Sequence, residues 1–186
     1  MIMQNNTRTL SWLKEGKKRF ANEGINGINI KEMSKSLGVA KSSFYHHFKT
    51  RDEYLKCLLE YWEEDGTLQI INKVMIIDNP YNRISKLTEL AFNNIENDKF
   101  LFHLRSYSQK DKYAASVLKK LENNRLKFLT KIFTEMNYSI SEAKKKAKTF
   151  YMYYLGFFEF HKFNGISNRL IKETINEMNI LFDIKE

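Results

Sequence analysis

The chain is poor in everything that builds sheets, cross-links or membrane spans. One proline and seven glycines in 186 residues leave too little punctuation for a sheet of many short strands. A single cysteine, Cys57, excludes an internal disulfide and a cysteine-rich metal site, and fits a reducing interior. The densest apolar run, Phe150 to Phe160, is far shorter than the ~20 residues that cross a bilayer. Residues 1–12 lack the apolar core of a secretory signal, so a soluble cytoplasmic protein is expected. Also missing are GxGxxG, GxxxxGK, HExxH and GxSxG, so no enzyme class, metal or cofactor is expected.

What is present is basic charge, unevenly placed. The net charge is +9. The first 52 residues hold ten cations (Arg8, Lys14, Lys17, Lys18, Arg19, Lys31, Lys35, Lys41, Lys49, Arg51) against four acids (Glu15, Glu23, Glu32, Asp52), so +6 of the +9 lies in under a third of the chain. A basic N-terminal module therefore precedes a nearly balanced, aromatic-rich body. Such asymmetry points to nucleic acid without proving it, because lysines also cover ordinary solvated helices.

Helical periodicity dominates the whole length. A first helix over about 7–23 places Trp12, Leu13, Gly16 and Phe20 on one face, and Gly24 suits the left-handed position after it. Asn29 and Glu32 stand at capping-box spacing before Ile30, Met33 and Leu37, and Gly38 ends that short helix. A third runs from about Ala40 to Phe48, and a second capping box, Thr50 and Glu53, opens a fourth through Leu58 and Trp62. Asn79-Pro80 predicts another start, for a helix to about Asn97. Further helices are expected over about 99–109, 112–136, 141–163 and 167–182. The expected architecture is all-α with about nine helices.

Residues 29–48 form two short helices around a glycine-containing turn, the pattern of a helix-turn-helix whose second helix enters the major groove. Lys41, Ser42, Ser43, Tyr45 and His46 on that helix are short donors, a cation and amphipathic rings, while Phe44 and Phe48 supply a packed face. Lys49 and the start of the fourth helix suit a phosphate. Two rival patterns are weaker. Gly24-Ile25-Asn26-Gly27 matches the GxxG of RNA-binding KH domains but lacks the neighbouring strands. His46 and His47, adjacent on a helix, point in different directions and have no carboxylate or cysteine set beside them, so no metal is expected.

The stretch Gly24 to Met33 followed by Leu37-Gly38-Val39-Ala40-Lys41-Ser42-Ser43-Phe44-Tyr45-His46-His47-Phe48-Lys49 closely resembles the TetR family of bacterial transcriptional regulators, over about residues 8–62. The resemblance implies a homodimeric, all-helical protein on a palindromic double-stranded DNA operator. It implies a DNA-binding domain at 1–50, a connecting helix at 51–66 and a ligand-binding and dimerisation domain at 67–186. It maps base contacts onto Lys41, Ser42, Ser43, Tyr45 and His46, and phosphate contacts onto Asn29, Lys31 and Lys49. Two positions depart from the pattern. Ala40 stands where serine commonly caps the recognition helix, and Arg19 where an apolar residue often precedes the phenylalanine.

Residues 67–186 carry no further family motif, and their apolar pattern must speak instead. The stretch Phe150–Phe160 is apolar nearly all round, so one side would cover the monomer core and the other a symmetry mate, with burial entirely within one subunit as the alternative; together with the last helix it resembles the family's four-helix dimer contact. The resemblance also implies an effector pocket, for which His103, Tyr107, Tyr151, Tyr154, Phe158 and Glu159 are candidates. Cys57 is expected on the buried side of the fourth helix and Trp62 between two domains. A ligand-responsive repressor is thus expected, with a DNA-binding adaptor lacking an effector, or an activator, as alternatives.

Overall fold

Capping residues decide where these helices begin. In the computed structural model, which describes residues 7–161 and 165–184, the described chain is helical throughout and holds no strand. The helices are α1 Thr7–Glu23, α2 Ile30–Ser36, α3 Lys41–His47, α4 Arg51–Glu63, α5 Gln69–Met75, α6 Pro80–Phe92, α7 Ile95–Ser108, α8 Lys112–Glu135, α9 Ile140–His161 and α10 Asn168–Leu181. A π turn, Glu64–Leu68, lies between α4 and α5 in the chain, and the described residues are all-α as expected.

Asn79 caps α6 by accepting from Tyr81 N (2.8 Å) and Asn82 N (3.3 Å), with Pro80 in the first turn where its missing N–H costs nothing. Ser139 and Glu142 form a reciprocal capping box before α9: Ser139 N donates to Glu142 Oε2 at 3.0 Å and Glu142 N donates to Ser139 Oγ at 3.3 Å. Ser167 caps α10 through Leu170 N at 3.2 Å. The helix expected to run from Pro80 to Asn97 stops at Phe92 instead. Asn93 N and Nδ2 both donate to Glu89 O and Asn94 N to Ala91 O, which closes the helix before Ile95 opens α7. The expected end of α9 at Phe163 lies outside the described residues.

The chain divides into two compact units. The first takes the described residues up to Asp65 together with Glu96–Leu118, and the second takes Gly66–Ile95 with the described residues from Lys119 onward. In the first unit Trp12, Phe20, Met33, Phe44, Tyr54 and Leu58 are buried to 1 % exposure or less. Trp62, expected between domains, stacks on Phe100 of the same unit at 4.7 Å and 13°. Cys57 is buried as expected, and burial, then the nearby Glu60, pushes its thiol up to about 11, leaving it protonated and inert at neutral pH.

The second unit packs α6 against α5 and α10. Phe133, Phe150 and Phe182 meet there with ring centres 5.3–6.4 Å apart. Arg83, buried, donates to Ile77 O through Nε (2.9 Å) and Nη2 (2.7 Å) and pairs with Glu135, tying the α5–α6 turn to the end of α8.

Candidate nucleic-acid interface

The short helix α3 cannot stand alone, since two turns are well below the length at which isolated helices persist. It is held from beneath by rings. Phe44 is fully buried and meets Trp12 edge-on at 5.3 Å, Tyr54 at 5.2 Å and Phe48 at 5.3 Å. Tyr54 in turn donates to Trp12 O at 2.9 Å. His47 Nδ1 lies 3.2 Å from Thr9 Oγ1, a second tie between α3 and α1.

Everything that packs is therefore on one side of α3, and the opposite side is open. Lys41, Ser42, Tyr45 and His46 are exposed, with Tyr45 at 48 %, and Ser43 is half-buried. Lys41 Nζ stands 6.0 Å from the Tyr45 ring centre. Gly38 (φ +66°) turns the chain between α2 and α3 in the left-handed region that glycine adopts without strain. At the start of α3, Ala40 provides no side-chain cap. Ala40→Ser should supply one and raise unfolding stability by about 1 kcal/mol, read by urea denaturation. A fall in stability would mean that this position is constrained by something besides the cap.

Beside α3 lies an open cleft of about 440 Å³ lined by Ile25, Asn26, Ile28, Asn29, Ile30, Lys31, Lys41 and Arg51. Three cations from three different segments converge there. Arg51 Nη2 also donates to Ile25 O at 3.2 Å, which holds its side chain over the turn before α2. Asn29 caps α2, accepting from Lys31 N (3.0 Å) and Glu32 N (3.3 Å). The reciprocal half of the expected capping box is not made: Asn29 N donates to Gly27 O, and Glu32 pairs with Lys35. Arg51 and Asn26 were not among the expected contact residues. The charge of Arg51 was visible in the sequence, but its distance in the chain from Lys31 hid the convergence.

The start of α4 differs from a simple anion seat. Glu53 Oε2 accepts from Lys49 N at 3.0 Å and Thr50 Oγ1 accepts from Glu53 N at 3.1 Å, so a carboxylate of the chain itself stands at this helix end. The Lys49 side chain is exposed. The segment Gly24–Gly27 is a 3-10 turn rather than a clamp between strands. Among the described residues no group of three or more His, Cys, Asp or Glu is placed to hold a metal ion.

The candidate effector residues fall in different units. His103 and Tyr107 belong to the first, where both stand edge-on to Phe20 at 6.4 and 6.3 Å. Tyr107 donates to Asp111 Oδ2 at 3.1 Å, and burial, then Asp111, pushes its hydroxyl up to about 12. Tyr151, Tyr154, Phe158 and Glu159 belong to the second unit. Tyr151 and Tyr154 are buried, Phe158 is half-buried against Phe92, and Glu159 is exposed.

Burial holds His103 below the ordinary histidine value of 6.5, with a hydrogen bond to the Asn22 backbone opposing in part. His47 is lowered too, by burial and then by His46 and Arg8. The unfolded chain therefore binds more protons than the native one below pH about 6.5, and stability falls as the pH drops through that range. His103→Leu should flatten part of the loss of melting temperature between pH 7 and 5, with His47 contributing to the rest. An unchanged slope would contradict the assignment.

The profile of the family described as "Bacterial regulatory proteins, tetR family" matches residues 13–56. The uncharacterised HTH-type transcriptional regulator YuxN of Bacillus subtilis (strain 168) is 29 % identical over 85 residues, which are 45 % of this chain and 29 % of that protein. The match thus spans less than a third of the curated relative's length. Among solved structures, a Saccharomonospora viridis protein in complex with choline aligns at TM-score 0.81 and 11 % identity, covering 94 % of this chain and 95 % of that one. A TetR transcriptional regulator from Legionella pneumophila aligns at 0.76 and 14 %, covering 92 % and 96 %. AibR, solved with isovaleryl coenzyme A and operator DNA, aligns at 0.69 and 15 %, covering 92 % and 97 %. At these identities the structural likeness is one of fold.

Proposed function

We propose that the chain is a dimeric transcriptional repressor of the TetR type, released from a palindromic operator by a small molecule; the match of residues 13–56 to the family profile and the shared fold support this reading. The observation that carries this reading is the open face of α3, Lys41 to His46, seated on a buried aromatic platform beside the cleft of Lys31, Lys41 and Arg51. Polar side chains on α3 would read base edges, and the three cations would neutralise phosphates and fix register. In this reading residues 1–50 bind DNA, 51–66 link, and 67–186 sense and dimerise. The complexes of structural neighbours with choline and with isovaleryl coenzyme A support an effector in the helical body. Among the described residues no helix is long and apolar enough to cross a membrane.

The dimer would form on α9 and α10. Met152 (58 % exposed), Gly156 and Phe160 (75 %) recur at i, i+4, i+8 on one open stripe of α9, and Ile180 and Leu181 are exposed at the end of α10. Tyr153 donates to Glu177 Oε2 at 2.6 Å, which joins the two helices. A Cβ added at Gly156 would meet nothing within 4 Å, so the single subunit does not require glycine there, whereas close approach of a partner helix would. Gly156→Leu should leave the helical content intact and convert a dimer to a monomer in sedimentation. A monomeric parent protein, or a variant that stays dimeric, would contradict this surface.

Two recognition helices must lie ~34–36 Å apart, or a multiple of that, to meet successive major grooves. An effector acts only through its different affinity for the DNA-competent and other separations. Footprinting on the DNA upstream of the protein's own gene tests the reading: a protected inverted repeat at moderate salt is expected, and uniform cleavage there contradicts autoregulation.

A further inference from the structure

The second unit gathers a guanidinium, two tyrosines and a threonine. Arg125 on α8 donates to Thr67 Oγ1 through Nε at 3.2 Å and Nη2 at 2.8 Å. Its guanidinium carbon lies 6.0 Å from the ring centre of Tyr151 and 5.7 Å from that of Tyr154. The two rings lie nearly parallel, 6.0 Å apart at 16°, and each residue is 6 % exposed. The Tyr151 hydroxyl is fully buried and has no hydrogen-bond partner among the described residues. Packing alone does not explain it, because phenylalanine would fill the same space without burying an O–H.

We propose that this cluster seats the anionic head group of the effector, a carboxylate on an apolar body; the inference rests on the ligand-released reading above. A carboxylate accepts from the Tyr151 O–H and lies beside a cation whose flat, permanently charged head suits it. A cationic ligand is disfavoured on the same geometry. The tyrosine faces that would attract an ammonium already have the chain's own guanidinium within 6.0 Å, so a second positive charge meets repulsion. The apolar body has matching surroundings. Phe92 and Phe158 stand against Tyr154 at 5.6 and 5.3 Å.

Three probes with one tail and different heads separate the possibilities: octanoate, octanamide and octyltrimethylammonium, titrated calorimetrically into the full chain. Octanoate should bind at least about tenfold more tightly than the amide, and the ammonium should bind least. Tyr151→Phe should weaken octanoate about tenfold and the amide less, with no loss of melting temperature, since it removes a buried hydroxyl without a partner. Arg125→Lys should retain part of the octanoate affinity that Arg125→Met loses. Should Arg125→Met fail to fold, the head-group series and Tyr151→Phe decide alone. Equal or tighter binding of the amide or the ammonium, unchanged octanoate affinity in Tyr151→Phe, or binding by none of the three overturns the seat. Operator release, followed by fluorescence anisotropy, keeps the two readings apart. Octanoate bound without release leaves the seat standing and overturns ligand-driven release. Release by the amide or the ammonium with octanoate inert does the reverse.

Discussion

Gly16→Ala should lower the melting temperature by about 10 °C, against the ordinary expectation for such a change. In a helix interior, alanine normally gains about 1 kcal/mol over glycine. Here a Cβ would stand 1.7 Å from Tyr54 Oη, 2.9 Å from Tyr54 Cζ and 3.4 Å from Leu58 Cδ1. Tyr54 cannot swing away. It is fully buried, its hydroxyl donates to Trp12 O, and Phe44 and Phe48 hold its ring at 5.2 and 4.9 Å. The methyl group must either displace the α1–α4 packing or break that hydrogen bond and leave a buried hydroxyl without a partner. Overpacking and the broken bond together amount to about 3 kcal/mol, and a chain of this size loses ~2–4 °C per kcal/mol. Adding Tyr54→Phe removes the clashing oxygen, so the double variant should melt above Gly16→Ala alone. A single variant as stable as the parent would show that α1 and α4 pack more loosely than described. Because Tyr54 also supports Phe44, the destabilisation should reach α3 and weaken DNA binding in step with stability.

The second large effect separates two ways of touching DNA. Replacing Lys31, Lys41 or Arg51 by Gln should weaken binding to all duplex sequences alike. Removing one cation from a phosphate lowers the slope of log affinity against log salt by about 0.9, or by about two units for a symmetric pair of half-sites. The triple variant should bind about a hundredfold more weakly, or worse, at moderate salt. Tyr45→Ala should behave differently, costing about 1–3 kcal/mol against the specific sequence with little change in salt slope. Lys41 lines the cleft but also stands over the Tyr45 ring, so its variant should show part of both signatures. Arg51 is the sharpest case, since its side chain is anchored to Ile25 O before any DNA arrives. Identical salt slopes in the parent and Arg51→Gln would remove the cleft from the interface.

The helix-turn-helix part of this fold is legible in the sequence because most of its determinants are local. Asn29, Gly38 and Thr50 each act within a few residues, and Phe44 and Phe48 stand where spacing puts the packed face, although the rings beneath Phe44 include the distant Trp12. What stayed hidden was tertiary or competitive. The apolar stripe of α6 runs in register through Asn93 and Asn94 to Ile95, so periodicity extended a helix that side-chain and backbone hydrogen bonds close at Phe92. Glu53 reads as a partner for the Thr50 cap, yet its carboxylate also takes Lys49 N. Arg51 shares a cleft with Lys31, and Arg125 stands over Tyr151, across chain separations no local pattern encodes. The Ser139–Glu142 capping box, by contrast, was readable and places the start of α9 slightly earlier than the apolar pattern did.

Whether α3 reads a specific duplex sequence is decided by selection from a random double-stranded DNA pool. The full chain should enrich an inverted repeat whose half-site centres are one helical turn, or a multiple, apart. The Ser43→Ala/Tyr45→Ala variant should fail to enrich it while folding normally. A pool that stays random, or one that the parent and the variant enrich alike, would contradict α3 as the reading helix.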